Sequence, residues 1–401
     1  MTTKTTPLQL PLSGMRIIDL TRVLSGPYCT MILGDLGADI IKVEAPEGDT
    51  VRNQGAGHDG MSWYFAGFNR NKRSIVLNLK TDEGREALTQ LVAGADALVE
   101  NFRPGVLSRL GFSPERLQEI RPGLVTCAVS GFGADGPYRD RPAFDFIAQA
   151  MSGFMSTNGR GDDPPLRSGL PISDMVAGIY AALGVVSALM RRERFGEPDH
   201  VDVSLSNSMI SLLSYFASDY FACGTVPPRT GNSHPIAAPY GLFQTSDDDI
   251  AVAPNDNAFF GRLMDILDYP EAKADPDFAS NALRVKNRPR LDAMVQKKLS
   301  SETASYWITK LNEAGVPCSR VNSIEGVFAD PQVQSQQMAI NVPHPGRGDV
   351  QMLGFPIKFN RAPCQIRHPA PDLGQHTDTI LAELKAANTN IPITPLAPEK
   401  S

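Results

Sequence analysis

Asp174 stands at the head of SGLPISDMVAGIYAALGVVSALMRR, residues 168–192, and no other charge follows until Arg191. A carboxylate there has two uses. It can accept the free amides of a helix start, as an N-cap residue does. It can also be a reactive group, because the positive end of a helix favours its ionised form and so supplies a nucleophile or a fixed anion at neutral pH. Gly169 and Pro171 supply a tight approach where a substrate could come close to the backbone. The residues alone leave the two uses open.

A second group is cationic. NRNKRSIVLNLK carries Arg70, Lys72, Arg73 and Lys80, and ENFRPGVLSRLGF carries Arg103 and Arg109 with Asn101 and Phe102 beside them. Such runs read either as a solvated basic face or as a site for a phosphorylated ligand, with cations on phosphates and apolar groups against a base. The Pro104-Gly105 turn would also expose amides to an anion.

GFGADG, with Gly131, Gly133 and Gly136, matches G-x-G-x-x-G after an expected strand, yet Pro137 and YRDRP follow. No helix can open there on schedule to meet a pyrophosphate, so the segment reads as a turn-rich loop and NAD is not expected. No Walker A sequence, H-E-x-x-H, EF-hand loop or G-x-S-x-G occurs, and the six histidines are scattered. No metal site is expected, and the reaction is expected to conserve its own driving energy.

The elements that must position these groups alternate along the first half. MRIIDL, ADIIKVEAP, SIVLNLK, DALVENF and LVTCAVSGF read as strands; GPYCTMILGDLG, TDEGREALTQLVAGA and SPERLQEIRP read as helices between them. Alternation of this kind predicts an α/β fold with a parallel sheet. HVDVSLSNSMISLLSYF reads as a strand running into a helix. The Pro/Gly-rich GTVPPRTGNSHPIAAPYG opens a smaller α+β unit, with a strand at Ile250–Ala253 and helices at Ala258–Leu267, Leu291–Leu299 and Thr303–Ala314. Short strands return from GVPCSRVNS, DLGQHTDTILAEL closes as a helix, and the tail beyond Ala386 is expected to be loose. The division is 1–223 for a large Rossmann-like domain, 224–325 for a small one, and 326–401 returning to the large one.

Bulk properties narrow the class. A net charge of −6 over 401 residues suits neither nucleic acid nor an anionic membrane as partner. Five separated cysteines without a C-x-x-C suggest a reducing compartment. MTTKTTPLQLPLSG lacks the apolar core of a secretory signal, and Met175–Met190 falls short of a spanning helix of about 20 residues. A soluble, cytoplasmic protein is expected.

GMRIIDLTRVLSGPYCTMILGDLGADIIKVEAP resembles the opening of the family III CoA-transferases. NRNKRSIVLNLK, VENFRPGVLSRLGF, SGFGADGPY, the Asp174 segment, GVPCSRVNS, FADPQV and GQHTD continue the match in order, over about residues 12 to 385. DLTRVLSGP, FNRNKRSI, LRVKNR and VFADPQV are most similar to the succinyl-CoA:glutarate type, the dicarboxylate transferases.

The resemblance implies a Rossmann-like large domain plus a small domain, in a homodimer of interlocked chains. It implies coenzyme A as co-substrate, brought as acyl-CoA and passed to a carboxylic acid, and it puts the catalytic aspartate at Asp174. CoA would lie along Leu77, Asn78, Leu79 and Lys80, along Asn101, Phe102 and Arg103, and at Arg109, with Lys72 and Arg73 among its contacts. Val23, Leu24 and Ser25 would face the thioester end, and Ala143, Phe144 and Asp145 would form a further wall. For the distal carboxylate of a dicarboxylic acid Arg22 is preferred, with Arg52, Arg70 and His234 behind it.

Departures from the family pattern carry information. Ala45 follows Glu44 where an arginine often helps hold the nucleotide. Leu24 replaces the glutamine of formyl-CoA transferase, and NSHPIAAPYG lacks its run of glycines, which argues against formate and oxalate. The racemases of the same fold carry histidine where Phe144 stands. Removing and returning an α-proton needs two acid–base groups, so Phe144 makes a racemase the alternative and covalent catalysis by an aspartate the leading reading.

Overall fold

Ile17, Ile18, Ile40, Ile41, Ala97, Leu98 and Val125 are all at or near zero exposure. Strands of β-branched and aliphatic residues buried on both faces are what a parallel sheet covered on two sides requires. The computed structural model, which describes residues 9–58 and 60–387, places them in six strands: β1 Arg16–Asp19, β2 Asp39–Glu44, β3 Lys72–Val76, β4 Ala97–Glu100, β5 Val125–Ser130 and β6 His200–Ser204. All neighbouring pairs are parallel, in the order β3-β2-β1-β4-β5-β6. In register, Ile17 faces Ile40 and Ala97, and Ile18 faces Ile41 and Leu98. The odd and even positions therefore feed two separate cores, one on each face.

That order reverses direction between β1 and β4. In open α/β sheets the loops leaving two such strands part company and leave a crevice at their carboxyl ends. Here those loops are the segments after Asp19 and after Glu100.

The main helices of this unit are α1 Ser25–Asp35, α2 Asp82–Ala93, α3 Pro114–Ile120, α4 Asp145–Met151, α5 Ile172–Phe195 and α6 Leu205–Ser211. Thr81 caps α2 through the Gly84 amide, and Ser113 caps α3 through that of Arg116. The closing helix Thr377–Ala387 sets Ile380 and Leu384 into the core beneath β3 and α2.

Two expectations shift. SIVLNLK reads as one strand, but pairing runs from Lys72 to Val76. Leu77–Lys80 turn away, with Asn78 accepting the amides of Lys80 and Thr81 through its side chain and carbonyl. The apolar stretch Met175–Met190 does not set the helix length: α5 runs for 24 residues, through Arg191 and Arg192 to a left-handed Gly196. By length and composition α5 could cross a membrane. Its Ala177, Ala181, Val185, Ala188 and Leu189 are buried in the core shared with α1 and the sheet.

The chain divides into two compact units. The first comprises Met1–Ser152, Gly169–Leu213 and Ser335–Ser401; the second comprises Gly153–Ser168 and Ser214–Gln334. In the second, Asp249–Val252 pairs antiparallel with Gly241–Gln244 on one side and Cys318–Arg320 on the other. The helices Asn257–Ile266, Arg288–Leu299 and Ala304–Glu313 cover this small sheet around Phe260, Leu263 and Trp307. The Pro/Gly-rich stretch is part of this unit, where Thr230 bridges to Arg160. The tail from residue 388 lies outside the described residues.

Candidate active site

The loop after β1 is held from three sides. Asp19, fully buried, accepts the Thr21 amide at 2.8 Å and the Thr30 hydroxyl at 2.7 Å, and pairs with Lys72 at 3.0 Å. Asn101, at the exit of β4, clamps Arg22 by accepting its amide at 2.9 Å and donating to its carbonyl at 2.8 Å. Asp49 accepts the Val23 amide at 3.1 Å. Val23 takes φ 69°, a left-handed conformation that a β-branched residue adopts only under strain. Asp49 in turn is fixed by Lys42 at 3.3 Å, both side chains buried. The Val23-Leu24-Ser25 loop is thus rigidly presented at the crevice.

Asp174 reaches the same place from α5. It sits in the first turn, with Pro171 at the cap position, and Asp174 makes no capping bond. The capping expectation fails because another acid does that work. Asp145, at the start of α4, accepts the Ser173 amide at 2.9 Å and the Ser173 hydroxyl at 2.8 Å, while Gln149 donates to its other oxygen at 2.7 Å. Asp174 is left unengaged by the helix end and half-buried.

The helix end does not by itself set the ionisation of Asp174. Burial raises Asp174, the neighbouring Asp145 charge raises it further, and a hydrogen bond from Ser25 opposes them, with the result pushed up to about 7. A helix end contributes about 0.3–1 kcal/mol, less than one pKa unit. It is outweighed.

The approach of α5 to Ser25 depends on Gly178, one turn beyond Asp174. A Cβ at Gly178 would lie 2.7 Å from the Ser25 carbonyl oxygen and 3.0 Å from the Tyr28 ring. Glycine lets the helix close on the loop.

These elements enclose a cavity of about 530 Å³, bordered by Val23, Leu24 and Ser25, by Asn101, Phe102 and Arg103, by Ala143 and Phe144, and by Asp174. Four arginines also line it: Arg22, Arg103, Arg139 and Arg141. An adjoining cavity of about 270 Å³ is bordered by Leu77, Asn78, Leu79 and Lys80 and by Ala45. Arg22 and Phe102 line both, so the two cavities meet at these side chains, with Lys80 on one and Asp174 on the other. The GFGADG loop bends back without opening a helix, and its Gly133 and Ala134 amides donate to Ser130 and Asp202.

Other expected site residues stand elsewhere. Lys72, Arg73, Arg109 and Asp145 border neither cavity. Lys72 is buried on Asp19, the Pro27 carbonyl and Asn69. Arg73 pairs with Asp39 and Glu383, both at 2.7 Å. Arg109 ends the short helix Val106–Arg109. Along β3 the cations Lys72 and Arg73 pair with carboxylates, whereas Lys80 and Arg103 border the two cavities. Arg52 pairs with Glu44 at 2.7 Å and stacks on Phe65 at 3.6 Å; Arg70 pairs with Asp35 at 2.7 Å and lies over Phe355 at 4.6 Å. His234 belongs to the second unit, against Tyr240 at 4.7 Å. Of the groups put forward for a distal carboxylate, Arg22 alone borders the Asp174 cavity.

Sequence reasoning missed Asp49, the capping by Asp145, the approach at Gly178 and the pair Arg139 and Arg141. The Arg-Asp-Arg spacing is visible in the sequence, within a stretch that reads as a turn-rich loop.

Similarity to known proteins agrees with this geometry. The model of the family described as CoA-transferase family III matches residues 12–377. The human succinyl-CoA:glutarate CoA-transferase is 36% identical over 93% of this chain and 86% of its own. The acetyl-CoA:oxalate CoA-transferase of Acetobacter aceti is 39% identical over 96% of this chain and 99% of its own. The crystal structure of a CAIB/BAIF family protein from Brucella suis superposes with a TM-score of 0.85 at 38% identity, covering 94% of this chain and 100% of that one. A six-stranded parallel sheet whose crevice presents an uncapped aspartate beside a strained loop is therefore, in this chain, the scaffold of an enzyme, and the chain belongs to CoA-transferase family III.

Proposed function

We propose that the protein moves CoA from succinyl-CoA to a small dicarboxylic acid through a covalent intermediate on Asp174. The observation carrying this reading is a half-buried carboxylate, free of capping duty, that borders the larger cavity beside Ser25. The ionised carboxylate attacks the donor thioester carbonyl; the C–S bond breaks, giving a mixed anhydride and CoA thiolate. The thiolate attacks the aspartyl carbonyl, and the donor acid leaves as its carboxylate. Asp174 now carries CoA as a thioester. An acceptor carboxylate attacks that thioester, forms a second anhydride and releases the thiolate. The thiolate then takes the new acyl group and Asp174 is regenerated. One thioester is consumed and one formed.

In this reading the adenosine end of CoA lies along Leu77–Lys80 and its pantetheine runs past Arg22 and Phe102 to Ser25. The relatives named for glutarate support a dicarboxylate acceptor. Oxalate returns to the candidate acids despite Leu24, because a relative named for oxalate is 39% identical. Where a racemase carries histidine, Phe144 offers a hydrocarbon ring that moves no proton.

The reading includes a cytoplasmic, interlocked homodimer of large and small domains. The homodimer is supported by exposed apolar side chains such as Phe144, Ile147 and Leu183, at 72%, 47% and 60% exposure, which a partner chain would cover. The test is incubation with succinyl-CoA and a panel of carboxylic acids, reading new thioesters by mass, with hydroxylamine added during turnover. Hydroxamate on the peptide containing Asp174 is the expected result; modification elsewhere, or no new thioester, would refute it.

A further inference from the structure

The four guanidinium groups around the larger cavity differ in what else they touch. Arg22 also borders the adjoining cavity with Lys80 and leans on Phe102 at 5.8 Å. Arg103 follows Phe102 in the same turn. Arg139 lies 3.6 Å from Asp140 and borders a third cavity holding Glu100 and Asp202. Arg103 and Arg141 border the Asp174 cavity and neither of the other two, and of this pair only Arg141 stacks on an aromatic ring. No carboxylate among the described residues lies within ion-pair reach of it.

Its guanidinium carbon rests 3.6 Å from the centroid of the Tyr138 ring. Tyr138 is itself braced edge-on by Phe132 at 5.8 Å. Stacking occupies one face of a guanidinium and leaves its in-plane N–H groups directed outward, the geometry that holds a carboxylate in two parallel hydrogen bonds.

From this we infer that Arg141 reads the distal carboxylate of the acid exchanged at Asp174, making it the residue that selects dicarboxylates. The assignment rests on the transferase reading above. It gives Arg22 to CoA, on the side shared with the adjoining cavity, together with Arg103 next to the shared Phe102, and leaves the Tyr138–Arg141 side to the acid. It also displaces Arg22 from the role expected of it. Succinyl-CoA brings the same distal carboxylate when it acts as donor, so one arginine serves both halves of the reaction.

The test compares the dicarboxylic acid that the unsubstituted protein accepts best with the half-amide of that acid, which lacks only the distal charge. In Arg141→Gln the Michaelis constant for the diacid should rise about tenfold or more, since a charge-assisted bidentate contact is lost. That for the half-amide, and the CoA dissociation constant by calorimetry, should stay within about twofold, because neither uses that contact. Arg141→Lys, which keeps charge but loses the fork, should fall between. An unchanged diacid constant overturns the assignment, as does an equal loss of CoA binding. Exchange of monocarboxylic acids only by the unsubstituted protein overturns it too, while leaving the transferase reading standing. Absence of any CoA transfer would overturn both.

Discussion

Asp145 accepts the Ser173 amide at 2.9 Å and so caps, from a different helix, the helix on which Asp174 rides. The division of labour has an electrostatic side. Asp145 frees Asp174 from capping, and its negative charge also raises the Asp174 pKa. The Asp174 carboxyl is consequently more basic than an ordinary carboxylate, and less of it is ionised at pH 7.

Activity should report this directly. Attack requires the carboxylate, so kcat/KM for succinyl-CoA should climb with pH through a midpoint near 7 and level off above it. Asp145→Asn keeps an acceptor for the Ser173 amide but removes the charge, and should move that midpoint downward by about half a unit to one unit. A pH–rate profile of both proteins decides it. An unmoved midpoint would leave burial as the whole cause.

Stability should change with the opposite sense. Asp174 has a folded pKa above its unfolded value, so the unfolded chain loses its proton first as pH rises. The folded state is penalised from about pH 4 upward, and the penalty levels off beyond pH 7. Asp174→Asn removes it. The variant should abolish transfer yet melt higher than the parent at pH 8, by about 1–2 kcal/mol after allowance for partial exposure. The gap should narrow on acidification. Loss of stability at pH 8 would restore the residue to a structural role.

The strands and helices of the first half are legible because β-branched runs and start signals such as Ser113-Pro114-Glu115 act locally. Asp174 was singled out for the same reason. The fate of the basic run was not legible, since Lys72 and Arg73 find Asp19, Asp39 and Glu383 across sequence distances that no local pattern encodes. The same holds for the Asp145–Ser173 bond and for Val23, whose strained φ depends on Asp49.

Gly178 offers a test of positioning. Alanine is the better helix former by about 1 kcal/mol, so propensity alone predicts a more stable protein. Contact predicts otherwise, because the added methyl meets the Ser25 carbonyl at 2.7 Å and α5 must shift. Gly178→Ala should lower kcat about tenfold or more, by moving Asp174 off Ser25. It should cost about 1–3 kcal/mol of stability. Single-turnover kinetics and thermal melts together separate the two effects. Unchanged turnover would mean that the Asp174–Ser25 spacing does not matter to the chemistry.

Arg52 supplies the contrasting case of a cation that sequence put in the site and the fold put beneath it. It donates to Glu44 through two nitrogens at 2.7 and 2.8 Å and to the Pro371 carbonyl at 3.1 Å, stacked on Phe65. Burial pushes the Glu44 pKa up, but Arg52, Lys42 and Ser74 together hold it below its ordinary value. Its contribution is therefore present above the unfolded pKa and fades as the solution is acidified. Arg52→Ala leaves Glu44 buried without its main partner, which should cost about 2–4 kcal/mol at pH 7 and less at pH 4, where protonation relieves the charge. Michaelis constants for carboxylic acids should be unaffected. Denaturant midpoints at the two pH values check the first statement, and steady-state kinetics the second. A raised acid Michaelis constant in a protein of unchanged stability would put Arg52 back in the substrate pocket.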